Sequence, residues 1–253
     1  MPFIVKPTDS AGSLGVIEIE SLADFMRIRD NPEYGSLPLE INEYVKGRFF
    51  HCDSWIVGDD ITCAIVSEYT YPNLEFLRGK PLGSMVLPMD DPLTQRIQKQ
   101  AATILHILGL IEGATHMELF LTHQDELVFL EVAARPPGGM ILKMLNQVFH
   151  TNFANYTLDI IMGEAKPLTL AHMCYAFWAV FPNKQGTVKA LGSVELSSYY
   201  TLQWLVEVGM KLAHPKSIVE KAGTLFAHHA NLDVIQQDFE AIRHVDLVEL
   251  THD

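Results

Sequence analysis

The sequence predicts an α+β protein, and three observations carry that expectation. Strand-like runs come in pairs about short polar turns, residues 49–57 with 61–66 and residues 117–121 with 127–132. Helical periodicity is confined to a few segments, the clearest of which follows Asp91-Pro92. A strand, a helix and a strand over 224–229, 232–242 and 245–250 repeat the mixture near the end of the chain.

In chain order, Phe3, Ile4 and Val5 form a short apolar run stopped by Pro7. The small-residue loop 8–15 and a second strand-like run over 16–19 follow. Such a loop is expected to lack side-chain packing. Ser21 and Asp24 have the spacing of a capping box, for a helix carrying Leu22, Phe25, Met26 and Ile28 and ending near Asn31-Pro32. A polar turn at 35–38 leads into a strand over 39–45. The runs 49–57 and 61–66 then read as a hairpin about Gly58-Asp59-Asp60. After Asp91-Pro92, Leu93, Ile97, Ala101, Ile104, Leu105 and Leu108 keep a 3.6-residue period, and Gly109 stands as the residue past the helix end. Two strands flank the turn at 123–126, and residues 140–162 hold two helices separated near Thr151-Asn152 and closed by Gly163. From about Ala165 the runs shorten, at 172–181 and 187–191, and the tail reads as a small α+β domain.

The 253 residues, 48% of them hydrophobic, suffice for one large or two modest domains. Eighteen Lys and Arg against thirty-one Asp and Glu leave a formal charge of −13, which repels phosphate backbones and makes nucleic acid an improbable main partner. Cys52, Cys63 and Cys174 are too scattered for a disulfide framework or a zinc knuckle and suggest a reducing compartment. With neither a signal-like start nor an apolar run of membrane-spanning length, a cytoplasmic location is expected.

The second hairpin carries the first chemical signal. If its strands pair about the midpoint of Gln124 and Asp125, one face matches Met117 with Val132, Leu119 with Leu130 and Leu121 with Val128. That face is apolar throughout and belongs to the core. The other face matches His116 with Ala133, Glu118 with Glu131 and Phe120 with Phe129. Directly opposed side chains start only about 4.5–5.5 Å apart, so two like charges there are destabilising unless something lies between them. A divalent cation converts the repulsion into attraction. The competing reading is a solvated face with splayed glutamates, and two opposed phenylalanines on that face count against it.

Gly113 and His116-Met117-Glu118-Leu119-Phe120, followed by Leu130-Glu131-Val132-Ala133-Ala134-Arg135-Pro136-Pro137-Gly138-Gly139, resemble the ATP-grasp superfamily, in particular its carboxylate–amine ligases that join L-amino acids. Two upstream segments agree in type and order: Ile4-Val5-Lys6-Pro7 with its Gly/Ser loop, and the run from Asn42-Glu43-Tyr44-Val45 to Cys52-Asp53. The resemblance implies two α+β lobes gripping a nucleotide, followed by a small C-terminal α+β domain. Its divisions fall at 1–45 (part of the first lobe, with phosphate loop and hinge), 46–164 (the second lobe, with the metal site) and 165–253. It implies ATP and magnesium, or manganese, as cofactors. Lys6, Ser10, Gly12 and Ser13 would meet the phosphates, and the main chain of Glu43, Tyr44 and Val45 would read the adenine. Glu118 and Glu131 would bind the metal, and Arg135 would stabilise charge at the reacting centre.

The implied function is an ATP- and Mg-dependent carboxylate–amine ligase acting through an acyl phosphate on small-molecule carboxylate and amine substrates. Part of the substrate pocket is expected within 71–88. Three positions depart from the family pattern: Ala133 at a common third metal ligand, Phe49 at a ribose-contacting glutamate and Asn42 at an acidic hinge residue. The chain resembles the C-terminal two-thirds of such an enzyme. It is therefore expected to bind ATP weakly and to form a homo-oligomer through an unpaired edge of its first sheet. One alternative is a nucleotide-binding module without catalysis; another is a metal-dependent hydrolase using His116, Glu118 and Glu131. His228 and His229 read as structural or surface positions.

Overall fold

The computed structural model describes residues 2–31, 34, 37–166 and 168–251. The chain begins with a small antiparallel sheet of β1 (Phe3–Pro7), β2 (Ile17–Ile19) and β3 (Leu39–Glu43), in the order β2-β1-β3. Helix α1 (Leu22–Arg29) packs on it. Both halves of the capping box form: the Asp24 N–H donates to Ser21 Oγ at 3.2 Å, and the Ser21 N–H to Asp24 Oδ2 at 3.1 Å. Val5, Ile19 and Ile28 make the miniature core of this unit. The helix ends at Arg29 with Asp30 as its cap. Pro32, where its end was expected, and Gly35 and Ser36 of the expected turn lie outside the described residues. The strand expected to reach Val45 stops at Glu43, and Tyr44 and Val45 link this sheet to the next.

The second sheet has eight strands, every neighbouring pair antiparallel. They are β4 (Gly47–Val57), β5 (Asp60–Tyr69), β6 (Leu82–Val86), β7 (Gly113–Thr122), β8 (Leu127–Ala133), β9 (Tyr175–Pro182), β11 (Tyr199–Trp204) and β13 (Lys221–His229). Their order is β11-β13-β9-β6-β5-β4-β7-β8. A short third sheet joins β12 (Lys211–Leu212), β10 (Gly186–Leu191) and β14 (Val248–Thr251). Helices cover both faces of the large sheet. On one side α2 (Pro92–Ile107) and α5 (Leu232–Arg243) bury Ile97, Ala101, Leu105, Ile235, Phe239 and Ile242. On the other side α3 (Ile141–Phe149) and α4 (Phe153–Ile161) bury Met144, Leu145, Val148, Phe153 and Ile160. Two-sided burial explains why β4 is buried continuously from Phe49 to Ile56.

Start and stop signals act where they stand in the sequence. Asp91 caps α2, accepting from the N–H groups of Leu93 and Thr94 at 2.8 and 3.2 Å, and Pro92 occupies the first helical position. Gly109 takes the left-handed conformation just past its end, at φ 69°. Among the described residues, no helix is long and apolar enough to cross a membrane.

Two expectations are corrected. The tail is not a unit apart: β9 pairs with β6, so β9, β13 and β11 continue the sheet begun by β4, and only β10, β12 and β14 form a sheet among themselves. The expected boundary at 164/165 therefore falls within one hydrogen-bonded sheet. In the β7–β8 hairpin the expected register holds for His116 with Ala133, Met117 with Val132 and Glu118 with Glu131, then shifts at a bulge after Glu118. Beyond it Leu119 faces Phe129 and Phe120 faces Val128. The bulge sits on the edge strand, where an extra residue costs least pairing. Phe49 already lies 4.5 Å, centroid to centroid, from Phe120. Leu130 packs against that core while Phe129 turns outward, 39% exposed, so the two phenylalanines are not opposed.

Candidate active site

Glu118 and Glu131 are direct cross-strand partners. Their surroundings differ. Glu118 is 7% exposed, while the Glu131 side chain, on the sheet edge, is 58% exposed. The Tyr69 hydroxyl and the Asn73 amide donate to Glu118 Oε1 at 2.9 and 3.0 Å, and His116 Nε2 stands 3.6 Å from the same oxygen. Oε2 has no partner among the described residues. Burial opposes the charge on Glu118, but the donors around Oε1 and the nearby His116 hold its pKa below the ordinary value. Asn73 comes from a 3₁₀ turn, Asn73–Arg78, within the stretch expected to line a pocket.

The small sheet reaches this pair through Lys6, which alternation on β1 carries toward the large sheet. Its Nζ donates to Glu131 Oε2 at 3.0 Å and lies 3.6 Å from Glu40 Oε2. Partial burial works against its charge, and the two glutamates more than compensate, so its pKa is raised. Two further contacts join the units. Arg78 pairs with Glu18 of β2, and the Ile218 N–H donates to Gly12 O at 3.1 Å.

The loop between β1 and β2 holds Gly12, Ser13 and Gly15 at φ 65°, 61° and 74°. For Ser13 this left-handed conformation is costly without glycine's freedom. Ser10 Oγ donates to Pro7 O at 3.5 Å. The loop does have packing: a Cβ on Gly12 would lie 3.2 Å from Ile218 Cγ1, and Ile218 itself rests on the core beneath α3 and α4. The sequence reading missed this because the contact comes from more than two hundred residues away along the chain.

Glu43, Tyr44 and Val45 occupy the connection between the two sheets. Glu43 still pairs with Phe3, whereas Tyr44 and Val45 belong to neither ladder. Arg135 follows β8, is exposed, and donates to the Pro136 carbonyl at 2.9 Å. It is near enough to Tyr69 to favour that hydroxyl's ionisation, but burial and Glu118 dominate and the Tyr69 pKa is raised. Ala133 sits opposite His116 and contributes no ligand atom.

Behind Glu118 lies a buried polar cluster the sequence reading did not assemble. Asp53, fully buried, has its two carboxylate oxygens 2.8 Å from His51 Nδ1 and 2.7 Å from His116 Nδ1. His51 Nε2 is 2.9 Å from Ser84 Oγ. Burial opposes both charges, but the mutual attraction prevails, lowering Asp53 to about 2 and raising His116 to about 10. His51, Asp53 and His116 also stand close enough to share a metal ion. Each imidazole presents Nδ1 to Asp53 at hydrogen-bonding distance, so in this arrangement the three side chains satisfy one another. A visible signal existed: two ionisable residues at i and i+2 in the run 49–57, which is apolar apart from them and Ser54.

A family model described as the ATP-grasp domain matches residues 1–144, and the chain belongs to that family. Over 234 residues it is 25% identical to the L-arginine-specific L-amino acid ligase of Bacillus subtilis, covering 89% of this chain and 55% of that protein. Over 186 residues it is 25% identical to the alanine–anticapsin ligase of the same organism, covering 63% of this chain and 38% of that one. It thus spans about half, or less, of the length of these curated relatives. The fold matches the crystal structure of an L-amino acid ligase from Bacillus licheniformis with a TM-score of 0.72 at 13% identity, over 100% of this chain and 64% of that one. It also matches N5-carboxyaminoimidazole ribonucleotide synthetase from Thermotoga maritima with a TM-score of 0.63 at 15% identity, over 100% of this chain and 63% of that one.

Proposed function

We propose that this chain forms the nucleotide-gripping part of an ATP- and magnesium-dependent carboxylate–amine ligase that activates a carboxylate as an acyl phosphate. The observation that carries the reading is the opposed pair Glu118 and Glu131, met from the other sheet by Lys6 beside a Gly/Ser loop. The donor set suits magnesium, which needs only one or two carboxylates when phosphate oxygens and water complete its shell. Among the described residues Glu118 Oε2 is without a partner, and Glu131 is tied only through a lysine that phosphate can draw away. When bound, the metal, or manganese in its place, supplies charge neutralisation between the phosphates.

In this reading Lys6 and the amides around Ser10, Gly12 and Ser13 hold phosphate oxygens. The main-chain groups of Glu43, Tyr44 and Val45 read the adenine edge. Arg135 exchanges its bond to the Pro136 carbonyl for the charge that develops at the acyl centre. The relatives' names point to an amino acid as the carboxylate and an amine as acceptor. The chain is incubated with MgATP and amino-acid pairs, phosphate release is followed, and the activated carboxylate is trapped with hydroxylamine. Hydroxamate that requires ATP and is lost in Glu131→Gln supports the reading. ATP binding with neither phosphate release nor hydroxamate for any pair refutes it in favour of a binding module.

A further inference from the structure

Asp53 is a carboxylate with no exposed surface and, among the described residues, no lysine or arginine paired with it, in a sheet whose other buried positions are mostly apolar. A buried charge is tolerated only when fully bonded, and apolar residues of similar volume would stabilise as well or better. Packing alone does not account for it. The directions of its contacts do. Asp53 faces His116 across the β4–β7 ladder, and His51 faces Glu118, so the four side chains form one block on the cleft face of the sheet. With Nδ1 held by Asp53, the His116 ring has one orientation, and that orientation turns Nε2 toward Glu118 Oε1. Tyr69 and Asn73 approach the same oxygen. Two hydrogen bonds and the His116 ring nitrogen at 3.6 Å therefore gather on Oε1, and Oε2 is the atom left without a partner among the described residues.

We infer that Asp53 is a positioning residue: through His116 it pins Oε1 of Glu118 and so presents Oε2 to the cation that accompanies the nucleotide. This rests on the reading of Glu118 as a metal-binding carboxylate. The logic is that of an outer carboxylate orienting a metal ligand through a histidine, with a carboxylate as the ligand held.

The test uses the full chain with Mn²⁺ and ADP. Free Mn²⁺ is read by electron paramagnetic resonance at saturating ADP, ADP affinity without metal by calorimetry, and folding by thermal melting. Asp53→Asn is expected to weaken Mn²⁺ binding about tenfold or more, the usual effect of losing an outer-shell partner, and to leave metal-free ADP binding within about twofold. His51→Gln breaks the other arm of Asp53 and does not touch the bond between Asp53 and His116. It is expected to lower the melting midpoint with less than about threefold change in Mn²⁺ affinity. Should Asp53→Asn fail to fold, His116→Asn carries the test, since it keeps a donor toward Asp53 and loses the reach to Glu118; it must then weaken Mn²⁺ binding likewise. Equal losses in Asp53→Asn and His51→Gln, or wild-type Mn²⁺ affinity in folded Asp53→Asn or His116→Asn, overturn the inference. Glu118→Gln separates this failure from that of the underlying reading: if it leaves Mn²⁺ binding unchanged, Glu118 is not a metal ligand.

Discussion

Replacing Lys6 by methionine should move two affinities in opposite directions. Lys6 Nζ holds Glu131 at 3.0 Å, with side-chain exposures of 16% and 58%. A pair with one partner so open contributes about 0.5–1 kcal/mol. The methionine keeps the packed stem, so the melting midpoint should fall by only about 1–4 °C in a chain of this size. In the absence of nucleotide, Lys6 competes with any cation for Glu131. Removing that competitor should tighten the binding of bare Mn²⁺ about two- to fivefold, which is the pair energy expressed as a ratio at 1.4 kcal/mol per decade. With nucleotide present, a charge-assisted bond to phosphate worth about 1.5–3 kcal/mol is lost, and MnATP should bind about ten- to a hundredfold more weakly. Because the pKa of Lys6 is raised, both effects should be constant from pH 6 to 9. Resonance titration of free Mn²⁺ measures the first affinity, and calorimetry with a non-hydrolysable ATP analogue the second. Bare Mn²⁺ binding that weakens, or MnATP binding that does not change, would refute the argument that lysine and cation share Glu131.

Other perturbations have equally definite signs. Trp55→Phe removes a buried bond from Nε1 to Thr157 Oγ1 of 2.8 Å and should lower unfolding free energy by about 1–3 kcal/mol in urea titrations. His116, raised to about 10 in the folded chain against an ordinary 6.5, contributes stability that is fully present below pH 6.5 and lost as pH rises through about 10; the urea midpoint should fall across that window, and His116→Gln should flatten it. Asp53, lowered to about 2 from 3.8, acts at the other end, its contribution being lost as pH falls from about 4 toward 2. Gly12→Ala adds a Cβ 3.2 Å from Ile218 Cγ1 at a positive φ, costing about 1–2 kcal/mol locally. Hydrogen exchange at the Ile218 amide should accelerate; an unchanged rate would mean that Gly12 does not hold that segment.

Local chemistry was legible in the sequence wherever one side chain serves the backbone beside it. Ser21 with Asp24, Asp91-Pro92 and Gly109 mark their helix ends because a cap needs only neighbours. The opposition of Glu118 and Glu131 came out through a compensation: the expected register was one residue out beside the turn, at 119–121, and the extra residue of the bulge restores it at Glu118. The bulge was not legible, because Leu130 and Phe129 are both apolar, and which of them faces inward depends on Phe49 of another strand already lying against Phe120. Nor did the tail announce its place, since an apolar strand such as β9 records that it is buried and not that β6 is its neighbour. His51 and Asp53 were visible as polar residues in a strand. Their significance depended on His116, which reads by itself as a potential ligand and is engaged only once β4 and β7 are paired.

The pairing of β6 with β9 also bears on how the protein is made. On the ribosome, β4 to β8 are complete well before Tyr175 is synthesised, yet the middle of the final sheet is then still an open edge. At 5–20 residues per second, the wait from Val86 to Pro182 is about 5–20 s. During that interval Leu82 and Met85, both buried in the finished fold, still lack Val180 and Phe177 opposite them, and β5 is the strand that β6 has beside it. A nascent chain paused before residue 175 is accordingly a better target for chaperones, and a greater aggregation hazard, than one paused after 182. Conditions that slow elongation through the tail should lower soluble yield without altering the stability of whatever folds.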